Sequence, residues 1–274
     1  MKFKKAFPPI GDLLRPKAPD ANLLLEAEQK FILSDRSEFF IREAYKTLRT
    51  NVTFSLAGEE GCKVVVVTSA MQSEGKSITS VNLAISYAQM NKRVLLIDCD
   101  LRRPKLARLL DMRCEAGLSN ILVSPDLKKK AILDANVPGL QVILAGDVPP
   151  NPSELLASGR MQRLVEELRE VYDYIILDTS PVNMVTDASV LIPYSNGVLL
   201  VVRAGYSDRG AVRSAVEQLE YSQAKILGFV LNGVDLERRS YGKYRYGKYG
   251  YGKRYGYGYS YGYGYGYTSR KESK

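Results

Sequence analysis

The sequence predicts a doubly wound α/β domain, with a mostly parallel sheet covered by helices on both faces, followed by a disordered C-terminal tail. Short β-branched runs alternate with helical patterns of about 10–15 residues, as buried parallel strands joined by right-handed crossovers require. Hydrophobic residues make up 45% and charged residues 25% of the 274 positions, enough apolar surface for one sizeable core. The composition then changes abruptly at Ser240. Residues 1–35 therefore form an N-terminal arm, 36–240 the folded domain and 241–274 the tail.

Along the chain, Pro8, Pro9, Pro16 and Pro19 discourage regular structure in the arm, since each fixes φ and lacks an N–H. From Ser37 to Leu56 the apolar residues Phe40, Ile41, Ala44, Leu48 and Val52 recur at helical spacing, with Ser37 as N-cap. Strands follow at Lys63–Thr68 and Arg93–Asp98 around a helix at Lys76–Met90. A strand at Leu140–Leu144, a helical stretch at Pro152–Val171 and a strand at Tyr174–Asp178 come next. Gly197–Arg203 and Ile226–Asn232 read as strands on either side of a helix at Arg209–Tyr221. Beyond Ser240 glycine alternates with tyrosine, no distinct face can be buried and disorder is expected.

The formal charge of +9 first suggests nucleic acid, but its location argues otherwise. The tail holds a net +7 and the preceding 240 residues only +2, so the charge does not point to a nucleic-acid-binding domain. Histidine is absent, which excludes serine–histidine triads, histidine bases and histidine-ligated metals. Cys62, Cys99 and Cys114 show neither a CxxC pair nor metal-ligand spacing and read as reduced packing residues. No apolar run approaches the roughly 18 residues that span a bilayer, so a cytoplasmic chain is expected.

The chemistry concentrates in three segments. Ala70-Met-Gln-Ser-Glu-Gly75-Lys76-Ser77 lies between a predicted strand and a predicted helix, where a phosphate loop turns its backbone N–H groups and a helix N-terminus toward an anion. Ser73, Glu74, Gly75, Lys76, Ser77 and Ile78 are the candidate nucleotide contacts, with Lys76 on the β- and γ-phosphates and Ser77 on Mg²⁺. Ala70 stands where the first glycine of such loops usually is. Asp98 and Asp100 end one strand and Asp178 another, at the sheet edge where open α/β folds bind ligands. One such aspartate alone equally suits a helix cap. Three beside a lysine-bearing loop offer Mg²⁺ ligation and a carboxylate able to accept a hydroxyl proton, as phosphoryl transfer demands.

Val94-Leu-Leu-Ile-Asp98-x-Asp100-x-Arg102 resembles the Walker A′ motif of bacterial tyrosine kinases, and Ile175-Ile-Leu-Asp178 their Walker B. Gly146-Asp-Val-Pro-Pro-Asn-Pro-Ser-Glu-Leu155 and Thr186-Asp187-Ala188 are similar to the same family, over about Arg36 to Asn232. The resemblance implies a P-loop NTPase-type fold and an ATP- and Mg²⁺-dependent protein tyrosine kinase. It places Lys76, Asp98 and Asp100 in catalysis, with Asp98 as base, and Ser77, Asp98, Asp100 and Asp178 around the metal. It also implies a separate transmembrane activator whose cytoplasmic segment holds the enzyme at the inner face of the membrane. A role in capsular or exopolysaccharide synthesis follows, with a tyrosine phosphatase expected as counterpart.

Glu43, Lys46 and Arg49 share one face of the first helix, either as a solvated charged stripe or, by resemblance, as the Glu-x-x-Arg-x-x-Arg element that joins subunits into a ring. Lys46 replaces its first arginine, keeping the charge and losing the planar fork. Lys128, Lys129 and Lys130 read as a solvated run, or as a surface facing the activator. The tail carries Tyr241, Tyr244, Tyr246, Tyr249, Tyr251, Tyr255, Tyr257, Tyr259, Tyr261, Tyr263, Tyr265 and Tyr267. Such a segment could stack on single-stranded nucleic acid, serve as a solubility or self-association tail, or accept phosphate. Its attachment to a phosphoryl-transfer site favours phosphate. The alternative reading, a partition- or division-type ATPase, asks for a lysine five residues before Lys76, where Met71 stands.

Overall fold

A computed structural model describes residues 29–234, and the tail tyrosines lie outside the described residues. The element order is α1 (Phe39–Ser55), β1 (Lys63–Ser69), α2 (Lys76–Ala88), β2 (Val94–Asp98), α3 (Leu106–Leu109), α4 (Leu118–Val123), α5 (Lys128–Ala131), β3 (Ile132–Asp134), β4 (Leu140–Ile143), α6 (Pro152–Leu156), α7 (Gly159–Arg169), β5 (Tyr174–Asp178), β6 (Gly197–Arg203), α8 (Arg209–Tyr221) and β7 (Ile226–Asn232). A 3₁₀ turn at Ser189–Tyr194 precedes β6. The strands form one sheet in the order β3-β4-β2-β5-β1-β6-β7. Every pairing is parallel except β3 with β4.

Alternation along the strands divides the interior into two layers. Val64, Val66, Leu95, Ile97, Ile175 and Leu177 face a core closed by α4, α7 and the 3₁₀ turn. Val65, Val67, Val94, Leu96, Tyr174 and Ile176 face a second core closed by α1, α2 and α3. Both faces being covered explains why these strands read as continuous apolar runs.

Helix α1 differs from the sequence expectation in detail. Phe40 is 67% exposed, and within the helix only Val52 is fully buried. Ser37 is not its N-cap, since the Ser37 hydroxyl accepts from Ser34 N at 2.9 Å and the cap position falls to Glu38. The stretch 152–171 is two helices, broken where the Ser158 side chain accepts from Met161 N and starts α7 anew. Residues 106–134, unassigned from sequence, form α3–α5 and the antiparallel edge strand β3. These elements are of three to six residues, too short for a helical or strand period to show.

Beneath α1, Tyr87 stacks on Tyr174 at a centroid separation of 3.8 Å, and its hydroxyl lies 3.3 Å from Arg49 O. Burial pushes its pKa up. Tyr87→Ala is expected to cost about 3–5 kcal/mol, through the lost ring and the cavity left behind, and Tyr87→Phe about 1 kcal/mol. Urea unfolding of the three proteins measures both, and equal midpoints would refute the packing role.

Candidate active site

The strand order puts β2, β5 and β1 side by side, with Asp98 in register with Asp178, and Asp178 with Val67. The two aspartates thus sit next to each other at the carboxyl edge, and the loop that follows β1 arches beside them. This loop ends in α2, whose N-cap is Gly75 at φ 95° with no side chain capping the first-turn amides. Those amides are free to meet an anion, and the helix dipole favours it. Gly75 is set by its φ, which favours glycine, and a Cβ there would have to displace the Asn232 amide, whose Nδ2 it would approach within 1.8 Å. Ser73, also at positive φ (62°), donates no freedom of that kind and is instead held by Arg203, whose Nη1 donates to Ser73 O at 3.0 Å.

Lys76 reaches across to Asp100, with Nζ to Oδ2 at 2.8 Å, both side chains being nearly inaccessible. The other Asp100 oxygen accepts from the Ser180 hydroxyl at 2.7 Å and from Arg103 N at 3.1 Å. Asp98 accepts two backbone amides, Asp100 N at 3.2 Å and Leu106 N at 3.1 Å, and so shapes the turn after β2 as well as lining the site. Asp178 accepts from Ser80 at 3.1 Å through Oδ1, while its Oδ2 is buried without a hydrogen bond. A buried carboxylate oxygen left without a partner is costly, and a cation offsets that cost. The residues therefore fit Mg²⁺. Among the described residues no group of three acidic or cysteine side chains forms a metal cage. Mg²⁺ takes one or two carboxylates and completes its shell with phosphate and water. Asp178 and Ser77 are side chains that could hold it.

Burial above all, and then the neighbouring Asp178 charge, push the Asp98 carboxyl up to about 8. Burial raises Asp178 too, against the pull of Lys76. Burial works against the Lys76 ammonium, but the Asp178, Asp100 and Asp98 carboxylates outweigh it and raise its pKa. The site is thus one cation shared among three acids.

A further layer was quoted from sequence only as motifs, with no role given to its side chains. Asp187, fully buried, accepts from Arg102 Nε at 2.9 Å and from the Ser153 hydroxyl at 2.5 Å, and it lies 3.1 Å from the Ser180 hydroxyl, whose single proton it shares with the nearer Asp100. The segments quoted around residues 146–155 and 186–188 are tied in this way to Asp100. Asn232, at the carboxyl end of β7, donates to Glu74 O at 3.0 Å. The strand-end rule that marked Asp98 and Asp178 also reaches Asn232.

Away from this edge, Glu43 and Lys46 pair at 2.7 Å on the surface of α1. Arg49 leaves their company: its Nη1 donates to Ser86 O at 2.6 Å and so fastens α1 to α2. Lys128 pairs with Glu167. Cys62, Cys99 and Cys114 are free thiols. Among the described residues no helix is long and apolar enough to cross a membrane.

The AAA domain family matches residues 62–226. The chain is 38% identical over 203 residues to "Tyrosine-protein kinase YwqD" of Bacillus subtilis (strain 168), covering 74% of this chain and 85% of that protein. With "Tyrosine-protein kinase CpsD" of Streptococcus agalactiae it shares 39% over 203 residues, 74% of this chain and 87% of that one. The solved kinase domain of the Escherichia coli tyrosine kinase ETK superposes with a TM-score of 0.68 at 37% identity, over 78% of this chain and 80% of that domain. The septum site-determining protein MinD from Pyrococcus horikoshii OT3 reaches a TM-score of 0.54 at 20% identity, over 62% of this chain and 70% of that one, a likeness of fold alone.

The raised Asp98 carboxyl makes the metal-free protein sensitive to pH. Its folded pKa of about 8 lies above the unfolded value of about 3.9, so its stabilising contribution is complete below about pH 4 and is lost as pH rises through about 8. Urea midpoints of the metal-free wild type should fall between about pH 5 and about pH 9. Asp98→Asn, which cannot ionise, should show a shallower fall, and an unchanged slope would contradict the assignment.

Proposed function

The chain belongs to the bacterial tyrosine-protein kinases of the AAA domain family, and from that premise we propose that it transfers the γ-phosphoryl group of ATP to tyrosine hydroxyls, foremost those at positions 241–267 of its own tail. The observation that carries this reading is the meeting of Lys76, Asp98, Asp100 and Asp178 at one sheet edge beside the first turn of α2. Lys76 and the amides of residues 73–78 would hold the phosphates, and Ser77 with Asp178 would hold Mg²⁺, which when bound supplies positive charge against the transferring group. Asp100 keeps Lys76 aimed. Asp98, with a pKa of about 8, is a better match to a proton leaving a phenol than an ordinary carboxylate, and its oxygens have lone pairs beyond the two amide bonds they accept.

In this proposal the tail of one subunit is phosphorylated by another within a ring, and Glu43 and Lys46 on α1 contribute to the contact. Arg49 supports it from behind by holding α1 on α2. A transmembrane activator brings the enzyme to the inner face of the membrane, a phosphatase resets it, and capsular or exopolysaccharide synthesis is the process controlled. Each phosphate adds about −1.5 to −2. About four therefore cancel the tail's +7, and further ones make it self-repelling, which loosens the ring.

Incubation with ATP and Mg²⁺, followed by mass spectrometry, is expected to place phosphotyrosine within 241–267 in the wild type and none in Lys76→Met. ATP turnover without protein-bound phosphate would instead indicate a partition-type ATPase. The assembly is tested by light scattering: nucleotide-bound protein should exceed the monomer mass, and extensive phosphorylation should reduce it. A mass that phosphorylation leaves unchanged would rule out the switch.

A further inference from the structure

The phosphate loop is braced by one of its own side chains. Glu74 lies fully buried, an unusual place for a carboxylate that is not paired with a cation. Its Oε2 accepts from Met71 N at 2.7 Å, closing the loop back on its own start. Its Oε1 accepts from the Ser207 hydroxyl, which belongs to the turn between β6 and α8. Ser207 in turn accepts from Arg203 N at 2.7 Å, and Arg203 donates to Ser73 O. The loop and the β6–α8 turn, more than 100 residues apart in sequence, are thus joined through a closed set of bonds in which Glu74 occupies the centre.

The bond to Met71 N falls beside Ala70, where glycine usually supplies the freedom for a tight turn. Here a side-chain acceptor fixes the turn from inside. We propose that Glu74 is the positioning residue of the phosphate loop, acting through Met71 N and Ser207 Oγ rather than through contact with the nucleotide. This deepens the nucleotide-binding reading above and rests on it. Both bonds need an acceptor or a donor at the Glu74 tip, but neither needs its charge. A glutamine can accept from Met71 N with its oxygen and donate to Ser207 Oγ with its nitrogen.

Titration of the full-length chain with ADP and Mg²⁺ tests this without relying on phosphoryl transfer. Glu74→Ala should weaken ADP binding about tenfold, since both bonds at the carboxylate are lost, and Ser207→Ala about threefold, since the bond from Met71 N to Glu74 survives. Glu74→Gln should restore binding to within about twofold of wild type, and KM for ATP should move more than kcat across the series. The proposal is overturned if Glu74→Gln binds as weakly as Glu74→Ala, which would make the charge the cause, or if Ser207→Ala binds normally. Ser207→Ala and Glu74→Gln decide the matter even if Glu74→Ala does not fold. Wild type that binds no ADP would overturn the nucleotide reading itself.

Discussion

Everything at the carboxyl edge of this sheet depends on one buried ammonium group standing among three buried carboxylates. Lys76 has a direct partner in Asp100 and a charge balance set by Asp98 and Asp178. Taking such groups out of water costs several kcal/mol each unless they are paired and hydrogen-bonded. The surrounding structure supplies those bonds: Ser180 and Arg103 N for Asp100, two backbone amides for Asp98, and Ser80 for Asp178. The one carboxylate oxygen without a partner, Asp178 Oδ2, is where the arrangement is electrostatically incomplete. A cation at that point would supply the positive charge that such a cluster lacks.

The central strands were readable from sequence because both faces of the sheet are covered. With each residue of 64–67, 94–97 and 174–177 in one core or the other, the apolar runs have no polar interruption to confuse their boundaries. Where covering is partial, sequence reading went astray. Helix α1 is amphipathic on paper, but Phe40 faces water and the inward row is completed by Arg49, whose stem and guanidinium pack on α2. A charged residue in a packing role is not visible in a pattern that sorts residues as apolar or polar. Residues 106–134 escaped for a different reason, since their elements are too short to show a period, and a distant contact such as Asp98 with Leu106 N starts the first of them.

The acids and the loop were recognisable because their spacing is local: a lysine after Gly75, aspartates at strand ends. The bonds that organise them are not local. Asp187 meets Arg102, and Glu74 meets Ser207, across 85 and 133 residues respectively. No spacing rule connects such pairs. Ala70 and Ser73 show the same limit from the other side. Each departs from what a phosphate loop asks of its backbone, and each departure is answered by a distant or unexpected partner, Glu74 for the first and Arg203 for the second.

The stacked pair Tyr87 and Tyr174 has a meaning beyond packing in an enzyme that modifies tyrosine. Their hydroxyls and that of Tyr172 are enclosed by the fold, whereas Tyr206 and Tyr221 project from it. Folding thus sorts the chain's tyrosines into those any kinase is barred from and those within reach. A chain still being synthesised, or one that has come apart, lacks that shield. A phosphate on Tyr87 or Tyr174 would therefore record a molecule caught open, and it would bar the ring from returning to its stack.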